Sequence, residues 1–266
     1  MIGVPAASRK IMTYELRDVA RSRWLIAYTL FFLAVTDALL RFGGAGKALV
    51  SLVSITLFVI PLVALVFGTV YLDNARDFTE LLLAQPVTRR QLFGGLYLGL
   101  ALPLGAAFAV GVLVPFALHG LEDPAQRASV AVLVLVGLAL TCVFTALAFV
   151  VASLSDDRLK RMAAAIGVWL LVAVLYDGIV LVVVMLFGDR AIERPMLGLM
   201  IANPVDLARV LLLLQFDLSA LMGYTGAVFQ RFFSGARGTA IAASALAVWV
   251  VAPVLFGLRM FERRDF

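Results

Sequence analysis

The sequence predicts an all-α integral membrane protein with six transmembrane helices. Hydrophobic residues make up 63% of the chain and charged residues 15%, whereas a soluble domain is about 45–50% apolar and about 25% charged. The apolar residues form runs of about 20 residues, the length that spans a hydrocarbon core of about 30 Å. Together the spans place residues 1–266 in a single transmembrane domain. The predicted spans are Trp24–Leu40, Ala48–Val70, Leu92–Leu118, Ala128–Leu154, Ala163–Phe187 and Thr239–Leu258.

The positive charges predict how these spans are oriented. Of the 22 lysines and arginines, 14 lie in the N-terminal segment, in 71–91, in 155–162 and in the C-terminal tail. Because cytoplasmic loops are enriched in Lys and Arg, we expect these segments and both termini to be cytoplasmic. The same distribution explains the net charge of +5 without a nucleic-acid partner.

Residues 1–23 are expected to form an amphipathic helix on the cytoplasmic surface of the membrane. Tyr14, Leu16 and Val19 provide apolar contacts, and basic residues such as Arg17 suit an anionic leaflet. The alternative is a charged lead-in that only sets the topology. The segment lacks the short apolar core and cleavage site of a signal peptide, so we expect the first span to remain as an anchor.

The segment 188–238 is expected on the outer, periplasmic side, with short helices before the last span. Its stretch Asn203-Pro204-Val205-Asp206 is typical of a helix start, with Asn as the N-cap, Pro in the first turn and an acidic residue near the helix N-terminus. The following apolar run is too short to span a membrane, so 204–221 is predicted to form one or two short helices at the outer surface. Arg209 lies three residues after Asp206, where opposite charges can pair.

The connection at residues 71–91 has the features of a docking element. Pro86 is expected to break the chain after Gln85. Thr88 can then cap a new helix, with Gln91 at the third position. A short helix before the break, with an apolar side and acidic ends, could dock into a groove on a soluble partner; the alternative is a plain connecting loop with positive charges. The acidic residues are Asp73, Asp77 and Glu80.

Several kinds of chemistry are excluded or weakly supported. The chain has one cysteine, Cys142, and one histidine, His119, so it cannot form a zinc or iron–sulfur centre by itself. No GxxxxGK[ST] phosphate loop occurs, so this chain cannot hydrolyse ATP itself and we expect no cofactor in it. If its function requires ATP and Mg²⁺, another chain must bind them. Met196 and Met200 are weak candidates for binding Cu(I), because thioether sulfur is a soft ligand. Methionine is also common apolar filler.

Asp177 lies within the fifth span, beside Tyr176 and Gly178. An ionisable side chain in hydrocarbon is energetically expensive and is by default a functional candidate. It could line an interface, or relay motion by pairing with an arginine. The alternative is a structural contact near the outer end of the span.

Four stretches of the sequence carry a resemblance to a known family. They read TYELRDVARSRW, ELLLAQPVTRRQLFGGLYLGLALPL, LSDDRLKRMAAAIGVWLL and NPVDLARVLLLLQFDLSALMGYTGAVF. With the six-span layout, they resemble the permeases of ABC-2-type transporters across essentially the whole chain. Within that family the chain is most similar to the permeases that serve nitrous oxide reductase maturation, and the last stretch is the most specific.

The resemblance implies a homodimer in the bacterial inner membrane, bound to two cytoplasmic ABC ATPase subunits and to a periplasmic maturation protein. Its output would be copper-site assembly in nitrous oxide reductase. The residues then assigned to ATPase coupling are Asp77, Glu80, Gln85, Pro86, Arg89 and Arg90. The residues assigned to docking the periplasmic protein are Asn203, Asp206, Arg209, Leu212 and Leu213.

Other functions remain open at this point. An ABC-2 exporter of a lipid, drug or glycan shares every general feature and differs only in what it delivers. An ATP-independent secondary transporter usually shows internal repeats and broken central helices, neither of which is evident in the sequence. An intramembrane enzyme would need a His/Glu or Ser/Lys constellation that the predicted spans lack.

Overall fold

The computed structural model describes residues 13, 16, 19, 21–75, 88–119, 123–187, 198–216 and 236–263. These residues form helices and no strands, which confirms the all-α class for the described parts of the chain. A π-helical turn, Leu171–Leu175, joins α4 to α5. The helices are α1 (Arg23–Asn74), α2 (Arg89–His119), α3 (Pro124–Ser153), α4 (Arg158–Leu170), α5 (Tyr176–Phe187), α6 (Pro204–Gln215) and α7 (Ala236–Arg263).

Within the described ranges, five helical stretches are long and apolar enough to cross a membrane. They overlap all the predicted spans, although two of them end before the predicted bounds Leu154 and Phe187. Most of them begin or end a few residues beyond the predicted span, because helices continue past the hydrocarbon into the interfacial layer. The first two predicted spans both fall within α1. The five stretches are Arg23–Asn74, Arg89–His119, Pro124–Ser153, Arg158–Val183 and Thr239–Glu262.

The long helix α1 folds back on itself at Gly44. This residue has φ 72° and ψ 166°, a backbone conformation open almost only to glycine. Trp24 and Phe67 line the same groove, although an unbroken helix would hold them about 65 Å apart. Residues 23–43 and 45–74 are therefore two antiparallel arms, called here the first arm and the second arm. The predicted outer connection at 41–47 is reduced to a single non-helical residue.

Replacing Gly44 with alanine should lower the free energy of unfolding by about 1–3 kcal/mol, because a Cβ atom strains this conformation. The measurement is denaturant unfolding of the purified protein in detergent. Gly46→Ala is the matched control, since Gly46 is helical and a Cβ there meets nothing within 4 Å; in a helix that change is worth about 0.5–1 kcal/mol of added stability. Equal shifts in the two variants would argue against a strained break.

The two arms, α2 and α3 share one aromatic core. The Phe108 ring of α2 packs edge-on against Phe32 of the first arm, with ring centroids 5.0 Å apart. The other side of the Phe108 ring meets Gly137 of α3, where an added Cβ would lie 2.2 Å from a ring carbon. Small residues permit this close helix approach in membranes. Around this core, α4 packs on α1 and α7 packs on α3.

Contacts between helices define two ends of the bundle. At the near end, Arg90 at the start of α2 lies 2.6 Å from Glu262 at the end of α7. At the far end, His119 at the end of α2 lies 3.6 Å from Asp37, close to the break in α1. Val19, from the predicted surface helix, is helical and buried; most of that helix lies outside the described residues.

Candidate functional sites at the two ends of the bundle

The near end contains a buried ion pair between Asp73, in the last turn of α1, and Arg161, in the first turn of α4. Arg161 Nη2 lies 2.5 Å from Asp73 Oδ1, and the two side chains are only 6% and 7% exposed. Arg161 Nη1 also donates a hydrogen bond to the Ser155 carbonyl oxygen at 2.8 Å. Asp157 starts α4 by accepting from the Leu159 amide, as an N-cap does. The pair therefore ties the end of α1 to the start of α4.

Two polar atoms of this buried ion pair lack a hydrogen bond. Among the described residues, Asp73 Oδ2 and Arg161 Nε have no hydrogen-bond partner, and Arg158 approaches Asp73 only to 3.8 Å. Removing charges from water is expensive, and their attraction offsets that only when the remaining polar atoms are bonded. Asp73 was considered as one of the acidic ends of a docking helix; in the structure its carboxylate is instead enclosed by Arg161.

A second near-end contact joins α2 to α7. The Gln91 amide donates to Thr88 Oγ1 at 3.3 Å and the Thr88 amide donates to Gln91 Oε1 at 3.2 Å, which confirms the predicted capping box. Immediately afterwards, Arg90 Nε forms its ion pair with Glu262, and Arg89 Nη1 donates to the Glu262 carbonyl oxygen at 2.9 Å. Because Arg90 is exposed, the pair adds little stability, but it fixes the start of α2 against the end of α7.

These two contacts flank the segment 76–87 that connects α1 to α2. Of the predicted coupling residues, the structure brings Arg89 and Arg90 together on Glu262. Glu262 was not among the predicted residues, although its carboxylate is opposite in charge to Arg89 and Arg90. A displacement of 76–87 would act on α4 through the buried pair and on α7 through Glu262. The other predicted coupling residues lie outside the described residues: Asp77, Glu80, Gln85 and Pro86.

The far end contains a polar cluster beside the π-helical turn Leu171–Leu175. Asn203 caps α6 by accepting a hydrogen bond from the Val205 amide at 3.0 Å, and Pro204 occupies the first turn; both confirm the predicted helix start. The Asn203 Nδ2 also donates to the Val172 carbonyl oxygen at 2.9 Å. A π-turn shifts backbone bonding from i+4 to i+5 and is common at functional sites. Asn203 thus connects the start of α6 to the π-helical turn between α4 and α5.

Arg209 links α6 to α5 through two carboxylates. Its Nη1 lies 2.8 Å from Asp177 Oδ1 and 3.2 Å from Asp206 Oδ1. Asp206 Oδ2 in turn accepts from Asn203 Nδ2 at 3.2 Å. Asp206 is buried, whereas Asp177 is half exposed. The aspartate of the fifth predicted span is therefore paired with an arginine of α6, 32 residues further along the chain.

Two more hydrogen bonds hold the helical turn at 198–201 that precedes Asn203. The Tyr176 hydroxyl donates to the Leu199 carbonyl oxygen at 2.5 Å, and Trp249 Nε1 of α7 donates to the Ile201 carbonyl oxygen at 2.9 Å. The turn at 198–201 is consequently attached to both the α4–α5 helix and α7.

The Asp206 carboxyl changes its charge near neutral pH. It lies in α6, outside the helices long enough to span a membrane. Burial raises the pKa of Asp206 to about 7; the neighbouring Asp177 carboxylate acts in the same direction, and Arg209 opposes both. Like charges that share one site cannot all be ionised at low cost. The far-end cluster therefore gains a negative charge as the pH rises through neutrality.

The remaining predicted outer residues differ in accessibility. Leu212 is 0% exposed and packs against the chain's own helices, whereas Leu213 is half-buried and keeps surface that another protein can reach. Met200 is buried, and Met196 lies outside the described residues. No group of three or more His, Cys, Asp or Glu side chains suited to a metal occurs in the ranges that the structure describes.

Comparisons with known proteins agree along almost the entire chain. The sequence model of the family described as ABC-2 family transporter protein matches residues 9–266. A protein of Pseudomonas aeruginosa named probable ABC transporter permease protein NosY is 30% identical, over 94% of this chain and 96% of its own length. A protein of the same name from Stutzerimonas stutzeri is 26% identical, over 94% of this chain and 96% of its own length.

Proposed function

Because this chain belongs to the ABC-2 family of transporter proteins, we propose that it is the permease subunit of an ABC transporter complex that serves the maturation of nitrous oxide reductase. The likeness to the NosY permeases over nearly the whole length carries this proposal. The chain itself is non-catalytic. A separate ATPase subunit binds ATP and Mg²⁺, since this sequence lacks a phosphate-binding loop.

The proposed permease crosses the bacterial inner membrane six times, with both termini in the cytoplasm. The two arms of α1 supply two crossings, and α2, α3, the α4–α5 helix and α7 supply four. The near end is cytoplasmic because its segments carry most of the Lys and Arg residues. The far end, with α6, faces the periplasm.

A second copy of the chain is proposed to cover the α4–α5 helix. The most apolar stretch of Arg158–Val183 is almost entirely unburied within one copy of the chain. Leu170, Val174 and Leu181, for example, are exposed. A Cβ added at Gly167 would meet nothing within 4 Å, so another helix can approach closely there. The resulting homodimer offers two near-end surfaces, one for each ATPase subunit.

In the proposed mechanism, closure of the ATPase pair displaces the segment 76–87. The Asp73–Arg161 pair passes that movement to α4, and the α4–α5 helix carries it across the membrane to Asp177. Arg209 then passes it to α6. A periplasmic maturation protein docked near Leu213 receives the movement, and copper-site assembly in the reductase is the output.

The coupling role of 76–87 predicts that Glu80→Lys should lower recovery of the ATPase with the permease by at least about tenfold, since it places a positive charge against a surface that binds the acidic Glu80. The measurement is the amount of ATPase that co-purifies with the tagged permease. Glu122→Lys makes the same charge reversal in the connection between α2 and α3, on the opposite side of the membrane. Equal ATPase recovery from both variants would show that 76–87 is only a connector.

The proposed output predicts that cells without this chain make nitrous oxide reductase that lacks part of its copper. Metal analysis of reductase purified from the deletion strain, compared with the complemented strain, measures this. A fully loaded reductase, together with loss of export of a lipid, drug or glycan, would instead identify the chain as an exporter permease.

A further inference from the structure

A groove runs along the surface of the bundle between the two arms of α1. Its volume is about 290 Å³. Trp24 and Phe31 line it from the first arm, Val59 and Phe67 from the second arm, and Leu104 from α2. Every lining side chain named here is a hydrocarbon or an aromatic ring. Such a groove, on the surface of a helix that spans the membrane, faces the acyl chains of the bilayer.

The groove lies in the half of the membrane nearest the near end. It begins at Trp24, on the second residue of α1, and tryptophan prefers the level of the lipid headgroups. From there to Phe31 the helix rises about 10 Å, roughly a third of a hydrocarbon core of about 30 Å. The groove therefore has the depth and the lining to hold part of one acyl chain.

The mouth of the groove is positively charged. Arg21 and Arg23 immediately precede Trp24, and both are exposed. Among the ion pairs of the described residues, none involves either arginine. Long arginine side chains reach outward to the headgroups while their stems remain on apolar surface. In the proposed orientation this mouth opens on the cytoplasmic leaflet, which is rich in anionic lipid.

We propose that this groove binds one acyl chain of an anionic phospholipid from the cytoplasmic leaflet, with the phosphate-bearing headgroup held by Arg21 and Arg23. The proposal goes beyond the transporter function and rests only on the orientation assigned above. A second copy of the chain fits the groove less well. A two-fold interface repeats the same patch on both copies, which would bring the two sets of arginines together and repel.

The charge at the mouth gives an expected selectivity. One basic residue near the membrane surface should favour an anionic over a neutral headgroup about fivefold, so two should favour it about 25-fold. In vesicles made from equal parts of phosphatidylglycerol and phosphatidylcholine, the groove should therefore hold phosphatidylglycerol in almost every copy.

The test uses quenching of Trp24 fluorescence by brominated acyl chains in the reconstituted full-length protein. Trp169→Phe and Trp249→Phe leave Trp24 as the only tryptophan, since the chain has three. Two equimolar vesicle preparations are compared, with bromine only on phosphatidylglycerol or only on phosphatidylcholine. We expect clearly stronger quenching by the brominated phosphatidylglycerol. Equal quenching by both lipids would overturn the proposal, because Trp24 would then report only bulk contact.

Two pairs of variants separate the headgroup from the groove. Arg21→Gln with Arg23→Gln should abolish the difference between the lipids, whereas Lys160→Gln, which removes an exposed charge at the near end, should preserve it. Ala27→Phe fills the groove that Ala27 lines and should also abolish the difference, whereas Ile26→Phe adds a ring on the same turn and should preserve it.

Absence of quenching by either lipid, with disulfide cross-linking of Ala27→Cys between copies, would assign the groove to a second copy and refute lipid binding.

Discussion

Replacing Arg161 with methionine should lower the free energy of unfolding by about 3–5 kcal/mol, because it leaves the buried Asp73 carboxylate without its partner. Arg158→Met is the matched control: Arg158 lies beside the same carboxylate, but its side chain is 62% exposed and 3.8 Å away, so its loss should cost about 0–1 kcal/mol. Unfolding in detergent measures both. Equal, small effects would mean that the near-end pair is not structural.

The same pair is expected to matter for coupling. Combining Arg161→Met with Asp73→Leu removes both charges, and an apolar replacement of a buried ion pair is often neutral or stabilising. This double variant should regain the stability of the wild type. If the ion pair transmits movement from 76–87 to α4, ATP hydrolysis by the complex should remain while reductase maturation falls. A stable double variant that also matures the reductase normally would show that the pair only holds the fold together.

Replacing Arg209 with leucine should detach α6 from α5 at a cost of about 2–3 kcal/mol, the usual range for losing hydrogen bonds to charged groups. The loss should be larger at pH 8 than at pH 5, because Arg209 opposes the rise in the pKa of Asp206 and favours its ionised form. The periplasmic partner should be lost while the ATPase stays bound, because the two contacts lie at opposite ends of the bundle. A variant that keeps the partner and matures the reductase would exclude a role for this link.

The pH dependence of the wild-type protein supplies an independent check of the far-end cluster. The pKa of Asp206 is raised to about 7 in the folded state from about 3.9 in an unfolded chain. The contribution of this group to stability is therefore fully present below about pH 3.9 and is lost as the pH rises through 7. The wild type should be more stable at pH 5 than at pH 8. Asp206→Asn, which cannot ionise, should flatten that dependence; an unchanged profile would mean that Asp206 does not titrate there.

The positions of the membrane helices could be predicted because they depend on local composition. Apolar runs bounded by charges set α2, α3 and α7 to within a few residues. The cap at Asn203 and the capping box at Thr88 were likewise predictable, since each depends on residues within one helical turn. The break in α1 was predicted too long, because only Gly44 leaves the helical conformation and nothing in the flanking sequence distinguishes it from Gly43 or Gly46.

The contacts that make up the candidate sites were harder to predict. Asp73 and Arg161 are far apart in sequence, and near a membrane surface each is typical of a solvated loop charge; only the packing of α4 on α1 buries them. The pairing of Asp177 with Arg209 depends on the π-helical turn, whose sequence, LVAVL, is ordinary apolar helix. Sequence patterns report on neighbours along the chain, and these pairs are set by helix packing.

That π-helical turn changes the direction in which all later side chains of the α4–α5 helix point. Each extra residue in a helix turns everything beyond it by about 100° about the axis. Deleting one residue of Leu171–Leu175 would shorten the wide turn to an ordinary one and rotate Tyr176 and Asp177 together by that angle. Asp177 would then no longer face Arg209, although the apolar composition of the span would stay the same. The direction of the Asp177 carboxylate is therefore set by the number of residues in the turn rather than by their type. An insertion or deletion there would leave the hydropathy of the span unchanged and yet break the link between the two ends of the bundle.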